Sequence, residues 1–273
     1  MTHWPKPVQN FGKSIAAHAS TIGARQVNSA YHRQVASPGE LGNLTSRQLR
    51  STSSAVIVPV GSTEQHGPHL PLDTDTRIAT AVARAVAGQL PDHEGARWVV
   101  APAISYGASG EHEAFAGTVS IGTAALRLLL VEFGRSAARW ASRLVFVNGH
   151  GGNVEALAAA TALLRYEGRD VVWAPCSVKD ADAHAGHTET SVLLHISPSD
   201  VWVEERLAGN SAPLPDLMPR LRSGGVAAVS EVGILGDPTT ATAAEGERIF
   251  ADMVDGCLQR IARWVPDRYG MLT

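Results

Sequence analysis

The sequence predicts an α/β protein, a three-layer α/β/α sandwich built on a mainly parallel sheet. Short β-branched runs alternate with longer segments of helical apolar spacing along most of the 273 residues. That alternation puts helices on both faces of a parallel sheet. Two of the runs empty directly into loops crowded with histidine and carboxylate, and ligand sites of open α/β sheets lie beyond the carboxyl ends of strands.

The first run, AVIVPV at 55–60, ends in Gly61 and reads as a buried strand. Residues 76–89 carry apolar positions at helical spacing, and RWVVAP at 97–102 is the second strand candidate. A helix is expected over 123–141, a third strand over 143–147 (RLVFV), and an Ala- and Leu-rich helix over 153–167. DVVWA at 170–174 is the fourth strand. Residues 188–196 read as a helix with Thr188 near its N-cap. Residues 226–229 are a further strand candidate, and 241–264 form the C-terminal helix. Neither an internal repeat nor a break in composition divides the chain, which predicts one domain over 28–273. Residues 1–27 are expected to lie outside it, as an extension that is disordered or the product of too early a start codon.

Composition narrows the function. Lys+Arg number 23 against Asp+Glu 26, for a formal charge of −3, so there is no net basic field to hold nucleic acid. No apolar run approaches the roughly 18 residues needed to span a bilayer, and the N-terminus lacks the apolar core of a secretory signal. Two cysteines, Cys176 and Cys257, make no disulfide framework and point to a reducing, cytoplasmic setting. Eleven histidines are the unusual entry, and six of them fall in four segments.

The first segment, GSTEQHGPHLPLDTD at 61–75, holds Glu64, His66, His69, Asp73 and Asp75. Carboxylates and imidazoles together form the ligand set of Zn²⁺, Fe²⁺ or Mn²⁺. The second, NGHGGN at 148–153, sets His150 among glycines that let backbone approach a ligand. The third, DAHAGHTETS at 182–191, contains His184, His187 and Glu189. Glu189 falls in the first turn of a helix, where the dipole alone also favours a carboxylate. The fourth, YGASGEHEAFAGT at 106–118, is polar, glycine-rich and too long for a simple turn. His3, His18, His32, His93 and His195 have no ligand-rich neighbours and read as structural or surface residues.

These four segments, in this order, resemble the creatininase family of metal-dependent amidohydrolases, over residues near 55 to near 240. The resemblance implies the family's α/β fold and two divalent metal ions per subunit. It implies that Glu64, Asp75 and His150 hold one ion, and that His66, Asp75 and Glu189 hold the other, with Asp75 bridging. His184 resembles the family's acid/base histidine. NSAYHR at 28–33 and GILGDPTTATAAEGERIF at 233–250 resemble most closely a peptidase branch of the family. Members of that branch act on a small ribosomally made precursor peptide, after a radical enzyme has decarboxylated and crosslinked its C-terminal Val-Tyr. His112, Glu113 and Phe115 are then the candidates for substrate contact. A homo-oligomer, a hexamer, is expected from the resemblance alone. One position departs from the pattern: creatininase itself carries Glu where this chain has Gly152, which argues against creatinine as the substrate. Two other readings stay open at this point, an amidohydrolase for another small cyclic or linear amide and a non-catalytic metal-binding protein.

Overall fold

The computed structural model describes residues 39–273, apart from Thr52 and His93. The expected N-terminal extension, NSAYHR and the histidines at 3, 18, 32 and 93 lie outside the described residues.

Four parallel strands form one sheet: β1 (Ser54–Val60), β2 (Arg97–Val100), β3 (Ala141–Asn148) and β4 (Val171–Pro175), in the order β2-β1-β3-β4. β1 is buried along its whole length, as a central parallel strand covered on both faces must be. Pro59 is tolerated there because its side of the strand faces past the end of β2. Its carbonyl accepts from the amide of Ile104, in the connection beyond β2, where no ladder needs the missing N–H.

The helices are α1 (Ser46–Arg50), α2 (Thr74–Ala87), α3 (Gly122–Ala137), α4 (Val154–Tyr166), α5 (His187–Ile196), α6 (Leu214–Gly224) and α7 (Ala243–Arg263). Alternation along the strands sorts the core into two layers. Ala55, Ile57, Val145, Val147 and Val172 face α2, α5 and α7, whereas Val56, Val58, Leu144 and Phe146 face α3 and α4. The three-layer sandwich is therefore present. α5 and α7 approach closely because Gly246 lies against the carbonyl of Ser191, where a Cβ would come within 1.8 Å.

The strands and long helices occupy the segments their periodicity predicts, with ends shifted by a few residues. The strand candidate at 226–229 is not a strand. Val226–Ala228 form a 3-10 turn after Gly225, which has φ +66°. Val226 turns into a small cluster with Leu217 and Leu235, so these apolar residues pack on one side against α6 rather than alternating across a sheet.

The chain leaves β1 toward one edge of the sheet and returns through β3 on the other side. The point where strand order reverses lies between β1 and β3, and the crevice for a ligand opens there. The two histidine-bearing loops follow these two central strands.

Candidate active site

The site is assembled from four connections at the carboxyl end of the sheet. The β1–α2 loop supplies Glu64 and His66, and the first turn of α2 supplies Asp75. The β3–α4 loop supplies His150, the Gly110–His112 turn supplies His112, and the approach to α5 supplies His184 and Glu189. Glu64 and His66 are fully buried, and Asp75, His112, His150 and His184 nearly so.

Asp75 faces both sides of the cluster. Its Oδ1 is 3.2 Å from His66 Nε2, and its Oδ2 is 3.3 Å from His150 Nδ1 and accepts from Ser62 Oγ at 2.6 Å. His150 Nδ1 is also 3.2 Å from Glu64 Oε1. His66 donates from Nδ1 to the carbonyl of Glu64 at 3.0 Å, which turns Nε2 toward Asp75 and, at 3.9 Å, toward Glu189. Glu189 is held in turn by the amide of Ala185, at 2.6 Å. Ala185 itself is a buried non-glycine residue at φ +51°, a conformation of a kind that concentrates at functional sites.

Three imidazoles pack together, with ring centroids 4.4 Å apart for His66 and His184 and 4.3 Å for His112 and His184. His184 donates from Nε2 to the carbonyl of Gln65 at 2.8 Å, which leaves Nδ1 directed at Glu64 Oε1, 3.8 Å away. The side-chain amide of Gln65 donates to His112 Nδ1 at 2.9 Å, so His112 presents Nε2 to Glu64 Oε1 at 3.4 Å.

Protonation follows from this crowding. Burial opposes charge on His66, but Asp75, Glu189 and Glu64 raise its pKa to about 10. Burial likewise opposes charge on His150, and Glu64 and Asp75 overcome it. Burial would raise Asp75, yet His66 and His150 hold it well below the ordinary range; Glu64 is lowered mainly by His150 against the same burial. Glu189 is pushed up to about 7 by burial. Burial, with the neighbouring charged histidines, drives His112 down to about 3 and His184 well down.

These donors suit divalent cations. Neither carboxylate oxygen of Glu64 makes a well-formed hydrogen bond; Oε1 is faced only by imidazole nitrogens at 3.2 to 3.8 Å, a strained burial of charge that a bound divalent cation would relieve. Single donor atoms of Glu64, Asp75 and His150 lie within 4.8 Å of one another, as do those of His66, His184 and Glu189, and those of Glu64, His112 and His184. Mixed nitrogen and oxygen donors fit Zn²⁺, Fe²⁺ and Mn²⁺.

Glu64, His66, Asp75, His150 and Glu189, anticipated as metal ligands, therefore lie together, and His184, anticipated as the acid/base residue, lies beside them. The anticipated substrate contacts divide. His112 is inside the cluster. Glu113, one residue beyond the inward-facing turn, is exposed, and Phe115 packs into the cluster with Leu217, Val226 and Leu235. Neither lines the cavity above the site, so loop 106–118 reaches it through Glu111 and His112 instead. Glu111 Oε1 lies 3.7 Å from His150 Nε2. Its position in a polar glycine-rich loop gave no signal that separated it from Glu113.

Gly152 has a local reason to be glycine. A Cβ there would come within 2.2 Å of the carbonyl of Ala108, 2.5 Å of His150 Nε2 and 2.8 Å of Glu111 Oε1. Of the other histidines, His69 is buried behind the site, bonded to Thr190 Oγ1 at 2.8 Å, and burial lowers its pKa to about 4. His187 meets Thr240 Oγ1 at 3.1 Å. Among the described residues no helix is long and apolar enough to cross a membrane, and both cysteines are free thiols.

The creatininase family model, described as creatinine amidohydrolase, matches residues 42–261. The mycofactocin precursor peptide peptidase of Mycolicibacterium smegmatis is 74% identical over 247 residues, covering 90% of this chain and 100% of its own. The protein of the same description from Mycobacterium tuberculosis is 67% identical over 251 residues, with the same coverage. Among solved structures, a manganese form of creatininase superposes with a TM-score of 0.69 at 29% identity, covering 83% of this chain and 98% of that one.

Proposed function

The chain belongs to the creatininase family of hydrolases, and from that premise we propose that it is a metal-dependent peptidase of mycofactocin maturation. Its substrate is the modified precursor peptide, and hydrolysis of one C–N bond releases the crosslinked C-terminal Val-Tyr fragment. The observation that carries this reading is full-length similarity, at 74% identity, to a relative described as a mycofactocin precursor peptide peptidase. The buried cluster of histidines and carboxylates supplies the chemistry such an enzyme needs.

In this reading Glu64, Asp75 and His150 hold one divalent ion, and His66, Asp75 and Glu189 hold a second. Zn²⁺, Fe²⁺ or Mn²⁺ at these positions would polarise a carbonyl and lower the pKa of a water. Asp75 serves both positions, since its two oxygens face His66 and His150 separately. Ser62 fixes the carboxylate between them by donating to Oδ2.

His184 handles the proton. Its Nε2–H is committed to the carbonyl of Gln65, which holds the ring in place, and burial keeps the ring neutral with Nδ1 unprotonated. The free Nδ1 faces the cluster, where it can take a proton from the attacking water and pass it to the departing amide nitrogen, without which a tetrahedral intermediate reverts. We place the enzyme in the cytoplasm as a homo-oligomer, a hexamer by analogy with its family, with no role for nucleic acid or membrane.

The test is incubation of the metal-loaded protein with the modified precursor peptide, with product masses as the readout. Release of the C-terminal fragment is the expected result. Hydrolysis of a small cyclic amide with the peptide left intact would replace this reading with a general amidohydrolase.

A further inference from the structure

A cavity of about 440 Å³ opens directly above the metal-ligand cluster. His112, His150 and His184 line one side of it. Leu214, Met218 and Leu221, on successive turns of α6, line the other. Positions 214, 217, 218 and 221 form a helical apolar stripe, yet only Leu217 of these is buried. Leu217 anchors the helix against Val226 and Leu235, and its three neighbours on the stripe are left facing the cavity.

We propose that this face of α6 is the wall of an apolar receptacle that selects substrates by the side chains on the leaving-amine side of the scissile bond. The inference rests on the peptidase reading above and names what that site prefers. The backbone ties the receptacle to His184. The amide of His184 donates to the carbonyl of Leu235 at 3.2 Å, and the amide of Leu235 donates back at 2.9 Å. Leu235 also lines the cavity, so a side chain seated against it lies beside His184. When His184 passes its proton to the departing nitrogen, the fragment attached to that nitrogen occupies the cavity.

Size and polarity define that fragment. Pockets for small molecules run from about 300 to 1,000 Å³ and are mostly apolar with a few polar groups. This cavity holds a fragment of one or two apolar residues, aromatic or branched, and excludes a folded chain. Apart from the histidines, Glu111 and Arg222 are the charged groups in its lining.

The test uses the full, metal-loaded chain and two variants of the α6 face, Met218→Gln and Leu214→Gln. Calorimetry measures binding of Val-Tyr amide and, as a polar control, Gly-Ser amide. Steady-state kinetics compares two peptides that differ only in their last two residues, Val-Tyr or Gly-Ser. Val-Tyr amide is expected to bind the parent chain in preference to Gly-Ser amide, and each substitution is expected to weaken it about 10-fold or more. KM for the Val-Tyr peptide should rise to match, with kcat within about threefold and metal content unchanged. Met218→Leu should restore both constants. Equal binding of the two amides, or unchanged affinity in both glutamine variants, overturns the receptacle. Cleavage that ignores the last two residues also overturns it and leaves the peptidase reading standing. Selective binding through α6, with neither these peptides nor the modified precursor cleaved, does the reverse.

Discussion

Asp75 Oδ1 lies 3.2 Å from Nε2 of His66, and the other oxygen of the same carboxylate is turned to the opposite side of the cluster. A single residue in the first turn of α2 is thus shared between two groups of donors. Asp75→Ala should lose both ions and all hydrolysis, because each ion loses a ligand and the spacing between them is no longer set. Elemental analysis of the purified variant checks this. Two equivalents of retained metal would refute the bridging role.

His184 is held by the carbonyl of Gln65 yet also lies within ligand range of the cluster. Its assignment as proton donor makes a prediction that separates the two roles. His184→Ala should keep its metal and lose roughly 10²- to 10⁴-fold in kcat. Loss of a metal equivalent would make it a ligand, and near-normal turnover would move the proton to another group.

Metal binding should be strongly pH-dependent. Without metal, Asp75 and the other carboxylates keep His66 protonated up to about pH 10, and His150 is raised in the same direction. A cation must displace those protons, so affinity rises as pH rises and falls in acid. Each displaced proton contributes up to about tenfold per pH unit. Calorimetric titration in buffers of different ionisation enthalpy should register proton release. Affinity that is flat between about pH 6 and pH 8 would show that these histidines are not ligands.

Gly152 packs against the carbonyl of Ala108, His150 Nε2 and Glu111 at once. Gly152→Ala should therefore disturb the β3–α4 loop, costing about 1–3 kcal/mol and weakening metal retention at His150. Thermal melts with and without metal measure both effects. An alanine variant with parental melting temperature and metal content would mean that the loop yields without disturbing the site.

The core of the fold is legible in the sequence because its signals are local. The AVIVPV and RLVFV runs read as buried strands, and the segments that follow them carry Glu64, His66, Asp75 and His150. The helix α6 is hidden by Pro215 and Pro219, which interrupt a stripe at 214, 217, 218 and 221 that is otherwise helical. The turn at 226–228 looks extended because Val226 and Val229 are β-formers, but its partner is α6 and not a strand. Glu111 and Glu113 are equivalent on paper. The three-residue turn at Gly110–His112 decides which of them faces His150, and no periodicity reports a turn that short. The convergence of His112 with His184 is also invisible to spacing, since it depends on the Gln65 side chain reaching between loops.

The central claim, that the buried cluster is a two-ion centre on which hydrolysis depends, is tested most directly by titrating metal into chelator-stripped protein. Bound metal and peptide cleavage are followed together. The account predicts saturation at two divalent ions per chain, no cleavage before metal is added, and cleavage that rises with occupancy. Full activity in the stripped protein would contradict it.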